Sequence, residues 1–333
     1  DLQELVLRAA IRLRIGAIDD YVRYRNPSGN RVRIFPLKTI PGGTTVSAFL
    51  QTSFHGARRR YLIGRVFLYV SAALIVAWSA APFLWQFSTS FQLDRDLVGS
   101  APKLWPDPIS FDHFINIFVA KNFHRYLFNS LVVAGLTTLL CLLIGSIAAY
   151  ALARLNIRGR FGILGFVLAV SMFPQIAVVA PLYMLASQLS WLDTYRILVT
   201  VYLALGLPFV TWVLFGHFRT IPSSIDEAAR IDGAKPLTIF FRIIAPMSLP
   251  GIVTTGLLCF IASWNEFMFA LAFTSDIDRQ TVPVGIANFT DLHYVPWGDI
   301  AAASVVVTLP LVAMVLGFQQ HIISGLTGGA VKE

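Results

Sequence analysis

Apolar residues fill this chain in six long blocks, and within each block they occupy every helical face instead of one stripe. No Asp, Glu, Lys or Arg lies between Arg65 and Asp94, Arg125 and Arg154, Arg160 and Asp193, Arg196 and Arg219, Arg242 and Glu266, or Asp299 and Lys332. Each gap holds the roughly 20 residues that a helix needs to cross about 30 Å of hydrocarbon. The pattern predicts spans near 67–88, 129–152, 161–185, 197–216, 251–273 and 300–320. Barrel strands would alternate every second residue over about ten positions. The stretch LVVAGLTTLLCLLIGSIAAYALA (131–153) is instead apolar all round, with Gly135, Gly145, Ala148 and Ala149 available for close helix–helix approach. The expected fold class is all-α, a polytopic transmembrane helical bundle of six spans.

Composition agrees. Hydrophobic residues make up 56% of the 333 residues and charged residues 13%, against roughly 45–50% and about 25% in soluble proteins. So few charges could not cover a soluble fold of this size, and the solvent for most of the chain is membrane lipid. The formal net charge of +8 would suggest nucleic acid in a soluble protein. Here it reads as basic cytoplasmic loops, and no nucleic-acid partner is expected. The segments 1–66, 153–160, 217–250 and the C-terminal tail hold 20 of the 26 Lys and Arg. The alternating set, 89–128, 186–196 and 274–299, holds six, with nine acids. The positive-inside rule therefore puts both termini in the cytoplasm. Arg154, Arg158 and Arg160 crowd one very short loop and carry most of that inference.

Three regions follow: a cytoplasmic N-terminal extension (1–65), a transmembrane domain (66–320) with a cytoplasmic loop at 217–250, and a cytoplasmic tail (321–333). The extension is read as amphipathic over 2–17 or partly disordered, with a turn at Asn26–Asn30 and a break at Pro41-Gly42-Gly43. Its opening is charged throughout, unlike a signal peptide. The chain opens on Asp1, not Met, so residues ahead of it are expected. Cys141 and Cys259 lie in apolar runs without a CxxC or His neighbour, which predicts structural free thiols, with a buried disulfide as the alternative, and no metal or redox motif.

Loop 217–250 is the informative one. Ser224 stands three residues before Glu227, the spacing of a capping box. A short helix is expected from Ile225 to about Ile231, closed by a left-handed cap at Gly233. Lys235-Pro236 opens a second helix over roughly 236–244, which Pro246 and Pro250 end before the next span. Ala228 and Ala229 are read as a low, smooth outer face suited to seating in a protein groove.

The string Glu227-Ala228-Ala229-Arg230-Ile231-Asp232-Gly233-Ala234, with Ile243 and Pro246 downstream, resembles the EAA signature of carbohydrate ABC importer permeases. Ala245 stands where that pattern has Leu, a loss of side-chain volume. Asn129-Ser130, Ala148–Arg154, Phe173-Pro174, Trp264-Asn265-Glu266 and Gly325–Lys332 fit as well. Over residues 66–333 the chain is similar to the MalG-like inner-membrane subunit of maltose and trehalose type importers.

That resemblance implies the ABC importer type I permease fold in a bacterial inner membrane, and alternating-access uptake of a di- or oligosaccharide. It implies a second, MalF-like permease, two cytoplasmic ABC ATPase subunits and an external or periplasmic sugar-binding protein. ATP and Mg2+ would sit on the ATPases, with no cofactor on this chain. Glu227, Ala228, Ala229, Asp232, Gly233 and Ala234 would form the coupling helix that seats in the ATPase. Loop 274–299 would reach toward the binding protein, and the tail toward the ATPases.

Trp264, Asn265 and Glu266 are candidates for the sugar pathway, since a carboxylate within an apolar span should face protein or water. Pro174, inside the third span, is a candidate gating kink. The chain has no GxxxxGK[ST] loop and no paired carboxylates or activated nucleophile, so no catalytic residue is assigned and it is not read as an enzyme by itself. An ion-coupled secondary transporter is the alternative class. It would show internal repeats and would leave loop 217–250 without a purpose.

Overall fold

The computed structural model describes residues 46–98, 104–291 and 294–327, and the expectations for residues 1–45 and for the end of the tail lie outside them. In chain order the elements are α1 (Val46–Thr89), α2 (Asp94–Leu97), α3 (Asp112–Val119), α4 (Phe123–Arg154), α5 (Arg160–Ser171), α6 (Gln175–Gln188), α7 (Tyr195–Thr220), α8 (Ser224–Ile231) and α9 (Pro236–Ile239). A π-helical turn (Phe240–Ile244), α10 (Ala245–Met247), α11 (Leu249–Trp264), α12 (Met268–Phe273), α13 (Val282–Ala287) and α14 (Trp297–Thr327) follow. The described residues contain no strand. The protein is an all-α, multi-pass membrane protein.

Gly64–Thr89 within α1, all of α4 and α7, and Trp297–Gln320 within α14 are each long and apolar enough to cross a membrane. Two bent pairs raise these four spans to six if each pair counts as one. Helices α5 and α6 meet at 85°, and the segment Pro236–Met247 meets α11 at 82°. Two expectations change here. Pro174 does not kink a continuous helix; it stands at the N-cap of α6 after a full break. The predicted fifth span, 251–273, ends early, because α11 stops at Trp264 and the chain resumes as α12.

The chain divides into two compact units, residues 1–77 and 78–333. In the first, the described residues belong to α1, and its large apolar side chains from Val66 to Val76 are exposed, as lipid-facing residues would be. In the second, α4 and α7 form the most extensive helix pair and α11 packs on both. Small residues permit this. A Cβ at Gly206 on α7 would lie 2.8 Å from Cys141 Sγ on α4 and 3.4 Å from Cys259 Sγ on α11. Both thiols are free and buried at that crossing, where they fill space as small apolar groups.

The N-terminal end of α4 holds the segment between α12 and α13. Asn129 Nδ2 donates to the carbonyls of Gln280 (2.8 Å) and Asp278 (3.1 Å), and its Oδ1 accepts from the Tyr195 hydroxyl at 2.7 Å. Ser130 Oγ accepts the Val282 N–H at 2.8 Å. Arg125 pairs with Asp278, and Asp193 accepts the N–H groups of Ser275 and Asp276. A polar loop is thereby fixed to the helices through its backbone.

A second polar cluster joins α3 to the start of α14. His113 lies between two acceptors, with Nδ1 2.9 Å from Asp299 Oδ1 and Nε2 2.9 Å from the Gln92 carbonyl. Both ring nitrogens can donate only in the imidazolium form. Asp299 Oδ2 accepts from Asn116 at 2.7 Å and lies 3.1 Å from Lys121 Nζ. The hydrogen bond to Asp299 raises the His113 pKa above its ordinary value; burial opposes this, and Asp94 and the Gln92 carbonyl add to the rise. With the folded pKa raised, the stabilisation is full below the unfolded value near ~6.5 and is lost as pH climbs through the folded value. Thermal unfolding in detergent between pH 6 and 9 should therefore cost the wild type more stability than it costs His113→Gln. Parallel pH profiles would contradict this assignment.

Candidate functional site

Helix α8 is eight residues long, too short to persist in water by itself. Its direction toward the bundle follows from the 100° step of a helix. Asp226 and Ala229, three apart, are buried, whereas Glu227, Ala228, Arg230, Ile231, Asp232 and Gly233 are exposed and Ala234 is half-buried. The expected smooth Ala228–Ala229 face is therefore split, with only Ala228 pointing out. Ala229 joins a buried cluster with Phe218, Ile239, Phe240 and Ile244. The Tyr150 and Phe240 rings lie 5.2 Å apart within it.

The capping box does not form either. Ser223 already has helical geometry, with φ −67° and ψ −23°, and no side chain caps α8. Backbone carbonyls substitute: Pro222 accepts from Ile225 at 3.4 Å and Ser223 from Glu227 at 3.1 Å. At the other end Gly233 has φ +81°, and the N–H of Ala234 returns to the Ala229 carbonyl at 3.0 Å. That left-handed cap was expected. The second arm runs further than 244. Pro246 lacks the N–H to continue the α ladder, the chain passes through the π turn, and Pro246 and Pro250 open α10 and α11 instead of ending a helix.

The anchor that composition and motif did not reveal is ionic. Arg154, the last residue of α4, places Nη1 3.4 Å from Asp226 Oδ2, with the two side chains 7% and 5% exposed. Arg154 Nη2 also donates to the Ile221 carbonyl at 2.6 Å, and the Tyr150 hydroxyl donates to Asp226 Oδ1 at 3.2 Å. Asp226 reads in sequence as one more first-turn acid. Placing it on the same helical face as Ala229 is the signal that would have found it. Ile231, the last residue of α8, is 86% exposed, and Leu237 on α9 and Phe241 in the π turn are exposed as well.

The three residues at the end of α11 separate. Trp264 is 1% exposed and stacks on Phe260 at 5.5 Å. Asn265 is exposed and donates to the Ile261 carbonyl at 2.8 Å. Glu266 accepts the N–H of Phe269 at 2.9 Å and of Ala270 at 3.1 Å, so it supports the start of α12. It also lines a cavity shared with Gln175, the residue after Pro174. The breaks at Pro174 and after Trp264 thus meet at one place. Tyr202 and Phe209, which sequence reasoning passed over, line the same cavity from α7. Among the described residues no group of His, Cys, Asp and Glu is placed to hold a metal.

Residues 141–327 match the family model described as "Binding-protein-dependent transport system inner membrane component". The chain is 43% identical over 277 residues to the trehalose/maltose transport system permease protein MalG of Thermococcus litoralis, covering 82% of this chain and 99% of that one. It is 38% identical to the trehalose transport system permease protein SugB of Mycobacterium tuberculosis (78% and 94% covered). It is 34% identical to the sulfoquinovosyl glycerol transport system permease protein SmoH of Agrobacterium fabrum (82% and 95% covered). The fold matches a chain of a bacterial ABC transporter involved in the import of the acidic polysaccharide alginate, with a TM-score of 0.65, 22% identity, and 77% and 96% of the two chains covered. The protein belongs to the family of binding-protein-dependent transport system inner membrane components.

Removing one partner of a buried ion pair strands the other charge and costs about 3–5 kcal/mol. Asp226→Ala should therefore lower thermal stability in detergent strongly. Its exposed neighbour, changed as Glu227→Ala, should shift stability by about 0.5 kcal/mol or less. Equal melting of the two variants would exclude the pair as the anchor of α8.

Proposed function

We propose that this chain is a transmembrane permease subunit of a carbohydrate ABC importer, with six spans and both termini in the cytoplasm. Each bent pair counts as one span in this reading. The sugar is a di- or oligosaccharide such as maltose, trehalose or a related glucoside. The curated relatives are named for trehalose and maltose, for sulfoquinovosyl glycerol and for diacetylchitobiose, which supports the carbohydrate class.

The observation that carries the reading is the geometry of α8. It is an exposed short helix, ended by a left-handed glycine and joined to α4 through Arg154 and Asp226. A partner that engages its outer face engages the spans. The partners are two cytoplasmic ABC ATPases, which hold the ATP and Mg2+, a second permease and an external sugar-binding protein. Glu227, Ala228, Asp232 and Gly233 form the ATPase-facing turn, with Ile231 as an apolar contact. Ala229 and Ala234 fit it to the bundle. Residues 1–65 are a cytoplasmic extension, 66–320 the permease domain and 321–333 the tail. Glu266 and Asn265 lie on the sugar pathway, Trp264 packs behind them, and the break at Pro174 is the gating joint. An ion-coupled transporter would leave the exposed face of α8 without a role.

Gly233 tests the coupling role. No atom lies within 4 Å of a Cβ built there, so a side chain meets backbone strain and not a clash inside this chain. Gly233→Val should cost roughly 1–2 kcal/mol in the turn, insert normally, and weaken ATPase assembly or separate ATP hydrolysis from uptake. The measurement is transport and ATPase activity in proteoliposomes at equal subunit content, and full binding-protein-stimulated transport would refute the requirement for this turn. Orientation is tested by thiol labelling of intact cells. Ser275→Cys should react from outside and Arg158→Cys should not.

A further inference from the structure

Two arginines at one end of the bundle are held in place without a counter-charge. Arg160 is the first residue of α5, Arg219 stands one residue before the end of α7, and the two helices pack together. The Arg160 guanidinium lies 5.1 Å from the centre of the Phe161 ring. The Arg219 guanidinium lies 5.9 Å from the same ring and 5.7 Å from that of Phe215. The two rings meet edge-on at 6.4 Å. Aromatic faces orient a guanidinium but do not cancel its charge. The sequence has no Asp or Glu between Asp112 and Asp193, nor between Asp193 and Asp226, and Asp226 itself is held by Arg154. Among the described residues no carboxylate pairs with Arg160 or Arg219, and neither side chain donates a hydrogen bond.

Their position says what supplies the missing anion. Helix α7 is long and apolar enough to cross a membrane, and α5 opens the first bent pair. Both arginines therefore stand where spans leave the hydrocarbon, at the depth of lipid headgroups. Directly after Arg160 in α5, Phe161, Ile163 and Phe166 are 59%, 44% and 70% exposed. A ligand at this place needs phosphate oxygens for two planar forks of donors and an apolar part for the exposed ring. A phospholipid has both at the required spacing. A zwitterionic headgroup would also bring an ammonium group to two guanidiniums with no carboxylate to receive it, so an anionic headgroup is favoured.

We infer that Arg160, Arg219 and Phe161 form a seat for the headgroup of an anionic glycerophospholipid. The guanidiniums take its phosphate and Phe161 meets the start of its acyl chains. Naming the leaflet as the cytoplasmic one rests on the orientation proposed above. That orientation is tested by thiol labelling and the seat by lipid retention, so the failure of one is distinguishable from the failure of the other.

The test places the full importer with its ATPases in nanodiscs of phosphatidylcholine with a minor share of phosphatidylglycerol, extracts it gently and identifies the retained lipids by mass spectrometry. The wild type should retain phosphatidylglycerol in preference to phosphatidylcholine. Arg219→Gln should cut that preference about fivefold, the worth of one arginine near anionic lipid, and Arg160→Gln together with Arg219→Gln should cut it further. Phe161→Leu should lower it with no change of charge. Arg242→Gln, at an exposed arginine of loop 217–250, should leave it unchanged. An equal loss with Arg242→Gln, or an unchanged preference in Phe161→Leu, would mean a diffuse basic field and would overturn the seat. Melting in pure phosphatidylcholine checks folding. Removing one of two unpaired like charges should leave the variants at least as stable as the wild type there, and a lower melting temperature would make the arginines structural and overturn the inference. Soluble short-chain phosphatidylglycerol should displace the retained lipid and inorganic phosphate should not; equal displacement by phosphate would overturn the lipid assignment. Loss of the ATPases from the double variant in pure phosphatidylcholine would assign the two arginines to that partner instead.

Discussion

A guanidinium and a carboxylate share a buried position at the C-terminal end of α4, and the orientation of α8 on the bundle depends on them. Helix α8 has no side-chain cap and only eight residues, so its own hydrogen bonds cannot hold it. The aromatic cluster beneath it supplies non-directional burial. The contacts of Asp226 with Arg154 and Tyr150 supply direction. The pairing is incomplete: Arg154 Nε and Asp226 Oδ2 have no hydrogen bond. Such a pair adds little to stability over a well-packed apolar alternative, yet it is costly to separate. It fixes the register of a short helix on a longer one, which apolar contacts alone would specify weakly.

The second constraint comes from lipid, which offers no hydrogen bonds. A broken helix at membrane depth is tolerable only where protein or a cavity covers the freed backbone groups. Two of the breaks in this bundle show how the rule is met. Between α5 and α6 the N–H groups of Met172 and Phe173 turn back to Ala169 and Val170, each at 3.2 Å. Between α11 and α12 the carboxylate of Glu266 takes two N–H groups that the interruption leaves over. A charged side chain in an apolar stretch is thus a consequence of the break beside it. The cavity they share is where irregular backbone becomes affordable.

Charge gaps locate the unbroken spans well. The predicted 129–152 and 197–216 lie inside α4 and α7, because a charge-free run of that length has one low-energy arrangement in lipid. The same gaps are silent on interruptions. Trp264-Asn265-Glu266 contains no Gly or Pro, and the break there depends on what Glu266 meets in three dimensions. Pro174 was visible, but whether it kinks or severs a helix is decided by the packing of α6. At α8 the left-handed Gly233 was legible because only the backbone is involved. The capping box was not, since Ser223 already has helical geometry before Ser224 can cap the helix. Asp226 escaped notice because its role is long-range: its partners lie 72 and 76 residues away.

Helix α4 gathers these features into one mechanical element. Near its N-terminal end Asn129 and Ser130 hold the backbone of residues 278–282; at its C-terminal end Tyr150 and Arg154 hold α8. Its 32 residues make it about 48 Å long at the rise of an α-helix. Between those ends its small residues let α7 approach so closely that a Cβ at Gly145 would lie 2.8 Å from Val210. Close-packed helices of this kind slide or rotate as bodies and do not bend freely. A displacement of α8 must therefore either part Arg154 from Asp226 or carry the end of α4 with it. If α4 moves with α7 at its side, the residues that Asn129 holds move too, and so does the α7 face on which Tyr202 and Phe209 line the cavity. Two distant polar clamps and a central cavity then respond to one rigid body, which is the physical requirement for coupling sites that share no residue.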